Sequence, residues 1–97
     1  MAKGYWIAHI DVTDPEGYKQ YVALNGKAFA KYNAKFLVRG GKFTLKHGAA
    51  RARHVVIEFD SYETALACYE SPEYRAAEEV RNKYSLGDVI VIEGWDG

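Results

Sequence analysis

Residues 4–12, Gly-Tyr-Trp-Ile-Ala-His-Ile-Asp-Val, are rich in aromatic and β-branched side chains and predict a strand. Asp14-Pro15-Glu16 follows as a helix start, with Asp as N-cap, Pro at the first helical position and Glu at the positive end of the dipole. Tyr18, Tyr21, Val22, Asn25, Phe29 and Tyr32 then recur at helical spacing and predict an amphipathic helix over 15–33. Gly26 weakens its centre by roughly 1 kcal/mol relative to Ala, which the apolar stripe outweighs. A second strand is expected over 34–39, with a bulge or bend at Gly40-Gly41 and a continuation over 42–46. Residues 47–52 read as a hairpin loop, and 53–60, centred on Val-Val-Ile-Glu-Phe, as a third strand. Ser61 caps a short helix. Ser71-Pro72-Glu73 repeats the cap, proline and acid device and restarts a helix running to about Tyr84. Leu86-Gly87-Asp88 is expected to turn the chain into a last strand over 88–95.

The order β-α-β-β-α-β is the split β-α-β, ferredoxin-like pattern of an α+β protein. Right-handed crossovers put both helices on one face of a four-stranded antiparallel sheet. No repeat, linker or low-complexity tract divides the chain, so a single domain over 1–97 is expected. Strand alternation would place Trp6, Ala8, Ile10, Phe36, Val38, Val55, Ile57, Phe59, Ile90 and Ile92 under the helices. The opposite face would carry Tyr5, Ile7, His9, Asp11, Leu37, Arg39, His54, Val56, Glu58, Val89, Val91 and Glu93. A solvated sheet face should be polar. Here Tyr5, Ile7, Leu37, Val56, Val89 and Val91 would stand exposed together, and such a patch marks an interaction surface. A second copy is the economical cover, so a homodimer through the sheet face is expected.

Composition narrows the function classes. Lys plus Arg and Asp plus Glu are both 13 among the 97 residues, a zero balance that argues against nucleic acid as partner. No stretch approaches the ~20 apolar residues of a membrane span, and the N-terminus turns polar at His9, too early for a signal peptide's apolar core. The single Cys68 excludes an internal disulfide framework and a cysteine-based zinc site; a reduced, cytoplasmic setting fits best.

Several segments together resemble a known family. They are Gly-Tyr-Trp-Ile-Ala-His-Ile-Asp-Val-Thr-Asp-Pro-Glu at 4–16, Lys-Phe-Leu-Val-Arg-Gly-Gly at 35–41, Val-Val-Ile-Glu-Phe at 55–59, Tyr-Glu-Ser-Pro-Glu-Tyr-Arg-Ala-Ala at 69–77 and Val-Ile-Val-Ile-Glu-Gly at 89–94. In combination they are similar to the family called domain of unknown function 1330. The resemblance implies the dimeric α/β-barrel superfamily, in which two ferredoxin-like protomers join through their sheets. That superfamily includes cofactor-independent monooxygenases, small isomerases and haem-using or haem-degrading enzymes. The family carries no established catalytic residue to transfer, and fold alone does not fix function.

Candidate chemistry follows from the faces. His9, with Asp11 two positions on, could form a carboxylate-assisted general base, or simply an interface histidine. Arg39 and Glu58, on neighbouring strands with matching parity, could orient an acidic or carbonyl substrate or form a structural ion pair. Tyr5 would line the same cavity. Tyrosine numbers eight, and Tyr21, Tyr69 and Arg81 are candidates for a pocket between helices and sheet. Three histidines without converging carboxylates do not predict a metal site, and no cofactor is expected. A homodimer binding a small organic ligand, with cofactor-free catalysis open to it, is one reading. A non-catalytic interaction or structural dimer module is the other.

Overall fold

A computed structural model describes residues 2–96; Met1 and Gly97, the ends of the expected 1–97 domain, lie outside the described residues. The elements run β1 (Gly4–Val12), α1 (Pro15–Lys31), β2 (Lys35–Arg39), β3 (Arg53–Phe59), α2 (Tyr62–Tyr69), α3 (Pro72–Tyr84) and β4 (Ser85–Glu93). The sheet is antiparallel with strand order β2-β3-β1-β4. This is the expected α+β, ferredoxin-like architecture, its second helical segment divided into α2 and α3.

The helix starts follow local chemistry. Asp14 accepts from the Gly17 amide, Ser61 from Thr64 and Ser71 from Tyr74, each satisfying a donor that the first helical turn leaves unpaired. Helix α1 ends at Lys31, two residues before the expected boundary, and Asn33 takes a positive φ of 57° to turn the chain. Gly17 is buried against the Tyr84 ring, where a Cβ would collide with it. That contact, with the α1 stripe, seats α1 beside α3.

The core lies between helices and sheet. Trp6 is its centre, its indole NH donating to the Ala65 carbonyl at 2.8 Å. The rings of Phe29, Phe59, Tyr69 and Tyr74 surround it with centroids 4.7–5.3 Å away. Ala28, Ala65, Cys68 and Ala77 are fully buried, and their small side chains let the helices approach the sheet closely.

Three sequence expectations are corrected. First, β4 begins at Ser85 directly after α3, so Leu86-Gly87-Asp88 is strand rather than turn. Gly87 is required there by close approach, since a Cβ would collide with the His9 carbonyl of β1. Second, Val89 and Val91 pair with Ala8 and Trp6 and face the helices, whereas Ile90 and Ile92 pair with Ile7 and Tyr5 on the open face. Four successive aliphatic residues carry no alternation of their own, and pairing with β1 decides their phase. Third, residues 42–46 do not extend β2 but join a long exposed connection from Gly40 to β3.

The β2–β3 register also shifts. Phe36 pairs with Ile57, but Val38 pairs with Val56 and Arg39 with Val55, so a bulge sits at Leu37. Beyond it every side chain changes face. Val38 stands on the open face and Arg39 on the helix face, the reverse of the regular alternation.

With these phases the open face still carries an apolar band. Val38, Val56, Ile7 and Ile90 form one row across all four strands, with Tyr5 and Ile92 alongside. Val38, Ile90 and Ile92 are 42%, 49% and 43% exposed. Among the described residues no helix is long and apolar enough to cross a membrane.

Candidate ligand cavity

A cavity of about 40 Å³ lies between α1, α3 and the helix face of the sheet. Its floor is Trp6, Ala8, Val55 and Ile57; its walls are Tyr18, Tyr21 and Asn25 of α1 and Tyr74 and Arg81 of α3; Phe36, Arg39 and Arg53 close the β2–β3 side. Every polar side chain in the wall has a structural reason for its position. Tyr21 and Asn25 are one turn apart on the buried stripe of α1. Arg53 pairs with Ile10 and so shares the helix face with Val55 and Ile57. Arg39 reaches that face through the bulge, and its guanidinium lies over the Phe36 ring at 4.2 Å.

A buried hydrogen-bond network forms the deep wall. The Tyr21 and Tyr74 hydroxyls lie 2.7 Å apart. Arg81 donates to the Tyr74 hydroxyl at 2.8 Å and to the Tyr69 hydroxyl at 3.0 Å. Tyr69 donates in turn to Glu78 at 2.6 Å, and Glu78 sits 3.6 Å from the Arg81 guanidinium. Burial pushes the Tyr74 phenol well above its ordinary range, and burial and the Glu78 carboxylate do the same for Tyr69. Both are therefore neutral hydroxyls at physiological pH.

The outer wall is left open to new partners. Asn25 is 5% exposed and lines the cavity one turn beyond Tyr21. The Arg53 Nε is buried without a partner. Arg39 and Arg53 form no ion pair among the described residues, and the cavity lining contains no carboxylate. Unpaired buried donors are costly and uncommon.

The open face holds a second group. His9 and His54 are paired across β1 and β3, their Nδ1 atoms 2.8 Å apart, one ring donating and the other accepting. Phe43 packs edge-on against His54 at 4.4 Å between centroids. Asp11 accepts from the Arg51 guanidinium at 2.8 Å and from the Ala52 amide at 2.9 Å, and the Ala52 bond leads in holding its carboxyl below the ordinary value. His9, His54, Arg51 and Asp88 border a shallow groove of about 460 Å³ beside Ala49 and Ala50.

The expected site residues thus divide in two. Tyr21 and Arg81 line the inner cavity, with Tyr69 one hydrogen bond behind. Arg39 joins them instead of the open face, because the bulge reverses its phase. The cross-strand Arg39–Glu58 pair is consequently not formed: Glu58 stands on the open face opposite Tyr5 and Lys35. The His9–Asp11 pairing is not formed either, since His9 bonds His54 while Asp11 is occupied by Arg51 and Ala52. Asn25 and Arg53 were not among the expected site residues. Asn25 is the polar residue in the inward stripe of α1, and Arg53 lies in phase with Val55 and Ile57; both signals are legible in the sequence. Among the described residues no group of three or more His, Cys, Asp or Glu side chains converges as metal ligands do.

Solved structures share this fold. A protein of unknown function from Rhodopseudomonas palustris matches with a TM-score of 0.73 at 16% identity, over 95% of this chain and 80% of its own. SnoaB, a cofactor-independent oxygenase from Streptomyces nogalater, matches with a TM-score of 0.64 at 11% identity, over 100% and 97%. A dimeric ferredoxin-like protein of unknown function from Thermobifida fusca matches with a TM-score of 0.61 at 21% identity, over 95% and 89%. At these identities the likeness is one of fold. No curated protein matches by sequence. The family model described as Domain of unknown function (DUF1330) matches residues 3–95, and the chain belongs to that family.

Proposed function

We propose that this protein is a homodimer that binds a small organic ligand between α1, α3 and the sheet, the two protomers joining through their open sheet faces. The observation that carries the ligand reading is a cavity lined by Arg39 and Arg53 with no acidic side chain beside them, the Arg53 Nε being buried and unpartnered. Interiors leave such groups unpaired mainly where something else is to pair with them. The wall chemistry suits a ligand that carries or develops negative charge on oxygen, with cationic and amide donors fixed in place before it arrives. Cofactor-free chemistry of the kind named for SnoaB is compatible with that wall and comes to this chain as part of the proposal.

The open face supports the dimer half of the reading. Its apolar row crosses all four strands, and a dimeric protein shares the fold. Its polar groups pair chiefly with each other, His9 with His54 through their Nδ1 atoms and Asp11 with Arg51, while the buried His54 Nε2 has no partner within the protomer; we read this as a seam rather than a catalytic centre. Tyr5 and Glu58 belong to that seam. A reducing, cytoplasmic setting goes with the buried free thiol of Cys68.

Native mass spectrometry of freshly purified protein tests both halves together. A dimer carrying an additional small mass is the expected result. A clean monomer overturns the sheet-face dimer. A clean dimer that takes up no member of a small-molecule library overturns the ligand site and leaves a structural dimer module.

A further inference from the structure

We infer that the ligand of the inner cavity is a small organic acid whose carboxylate enters between Arg53, Arg39 and Asn25; this rests on the ligand-binding reading above. Charge comes first. The cavity wall includes three guanidinium groups, of Arg39, Arg53 and Arg81, and no acidic side chain. Arg81 is already compensated by Glu78 at 3.6 Å. Arg39 and Arg53 have no counter-charge within ion-pair distance among the described residues, so the cavity's outer wall carries uncompensated positive charge.

Donor chemistry comes second. The two arginines offer N–H groups only, and Asn25 can turn its NH₂ to the same point. An acceptor-only group with two oxygens satisfies this set, and guanidinium recognises such a group bidentately. A neutral ligand would leave the positive charge unmet.

Size comes third. The cavity is small, about 40 Å³, so it encloses the charged head of a ligand rather than its whole body. A planar carboxylate meets a guanidinium fork with both oxygens in one plane. The ligand's carbon body would therefore remain at the mouth, against Val22, which is 39% exposed, and the ring of Phe36. An apolar acid, rather than a polyhydroxylated one, matches that mouth.

The test is a ¹H–¹⁵N NMR titration of the full chain with benzoate, with benzamide as the neutral probe of the same shape and inorganic phosphate as the tetrahedral anion. Benzoate is expected to move the Asn25 side-chain amide and the Arg53 Nε–H signals saturably. Benzamide should bind about tenfold more weakly, the equivalent of one charge-assisted hydrogen bond. Arg53→Met should weaken benzoate by about tenfold and leave benzamide unchanged, with Arg53→Lys intermediate. Arg39→Met, an exposed position, gives a second variant if Arg53→Met does not fold. Equal binding of benzamide overturns the acid assignment while the ligand cavity stands, and so does equal binding of phosphate for the carboxylate. Shifts confined to His9, Arg51 and His54 overturn the assignment to this cavity. No response at Asn25 to any probe overturns the cavity reading together with the inference.

Discussion

The hydroxyls of Tyr21 and Tyr74 meet at 2.7 Å, joining α1 to α3 across the deepest part of the cavity. Arg81 closes the arrangement from one turn beyond the middle of α3, donating to Tyr74 at 2.8 Å. Burial keeps the Tyr74 phenol un-ionised at working pH, and one buried cation organises the network around it.

Removing that cation should cost stability rather than fold. Arg81→Met keeps the aliphatic stem packed but deprives the Tyr74 and Tyr69 hydroxyls of a donor. A loss of about 2 kcal/mol is expected, the scale of a buried charged hydrogen bond. Urea unfolding of the variant and parent measures it. An unchanged midpoint would show that the guanidinium contributes nothing to holding α3 on the core.

The open face gives a prediction on assembly. Ile90 is at the end of the apolar row and 49% exposed in the protomer, so Ile90→Asp leaves the protomer core untouched. In the proposed dimer the same change buries a carboxylate without a partner. The variant should sediment as a monomer with parent-like circular dichroism, whereas the parent sediments as a dimer. Identical sedimentation of the two would remove this face from the interface.

Cys68 is fully buried, and desolvation pushes its thiol up to about 12. The thiolate is the reactive form. Ellman's reagent at mildly alkaline pH should therefore leave the native protein unlabelled and react once denaturant is added. Rapid labelling of native protein would mean that α2 opens readily.

Asp11 ties the approach to β3 onto β1, and its carboxyl is held below the ordinary value of 3.8, by the Ala52 amide first and by Arg51 second. A depressed carboxyl stabilises the folded form above its unfolded value and loses that contribution as pH falls through the folded one. The Ala52 amide shift should accordingly be constant near neutrality and titrate with a midpoint below 3.8. Asp11→Asn should speed solvent exchange of the same amide. A midpoint above 3.8 would contradict the tether.

Local chemistry was the legible part of this chain. Asp14-Pro15, Ser61 and Ser71-Pro72 mark their helix starts within a residue because a cap acts over a single turn. The core strands β1 and β3 were legible too, since Trp6, Ile10, Val55, Ile57 and Phe59 alternate with more exposed neighbours. The phase of Val89-Ile90-Val91-Ile92 was not, because every position is aliphatic and only pairing with β1 distinguishes the two faces. For the cavity, Tyr21 was readable from the apolar stripe of α1, whereas α3 turns Tyr74, Ala77 and Arg81 inward rather than the Ala77, Val80 and Tyr84 stripe that its apolar positions suggest. Arg39 was misplaced because Lys-Phe-Leu-Val-Arg shows nothing that distinguishes a bulged strand from a regular one. Gly40, with φ of 67°, marks the end of the strand rather than the irregularity inside it.

That irregularity works as a reading frame for the edge strand. Deleting Leu37 would close the bulge and leave Val38 opposite Val56 and Arg39 opposite Val55, on the faces they now hold. One residue inserted between Val38 and Arg39 would instead shift Arg39 into the opposite frame and hand its charge to the surface where two copies are proposed to meet. Binding charge and assembly are therefore coupled through chain length beyond the bulge, in a way that no point substitution at Arg39 reproduces.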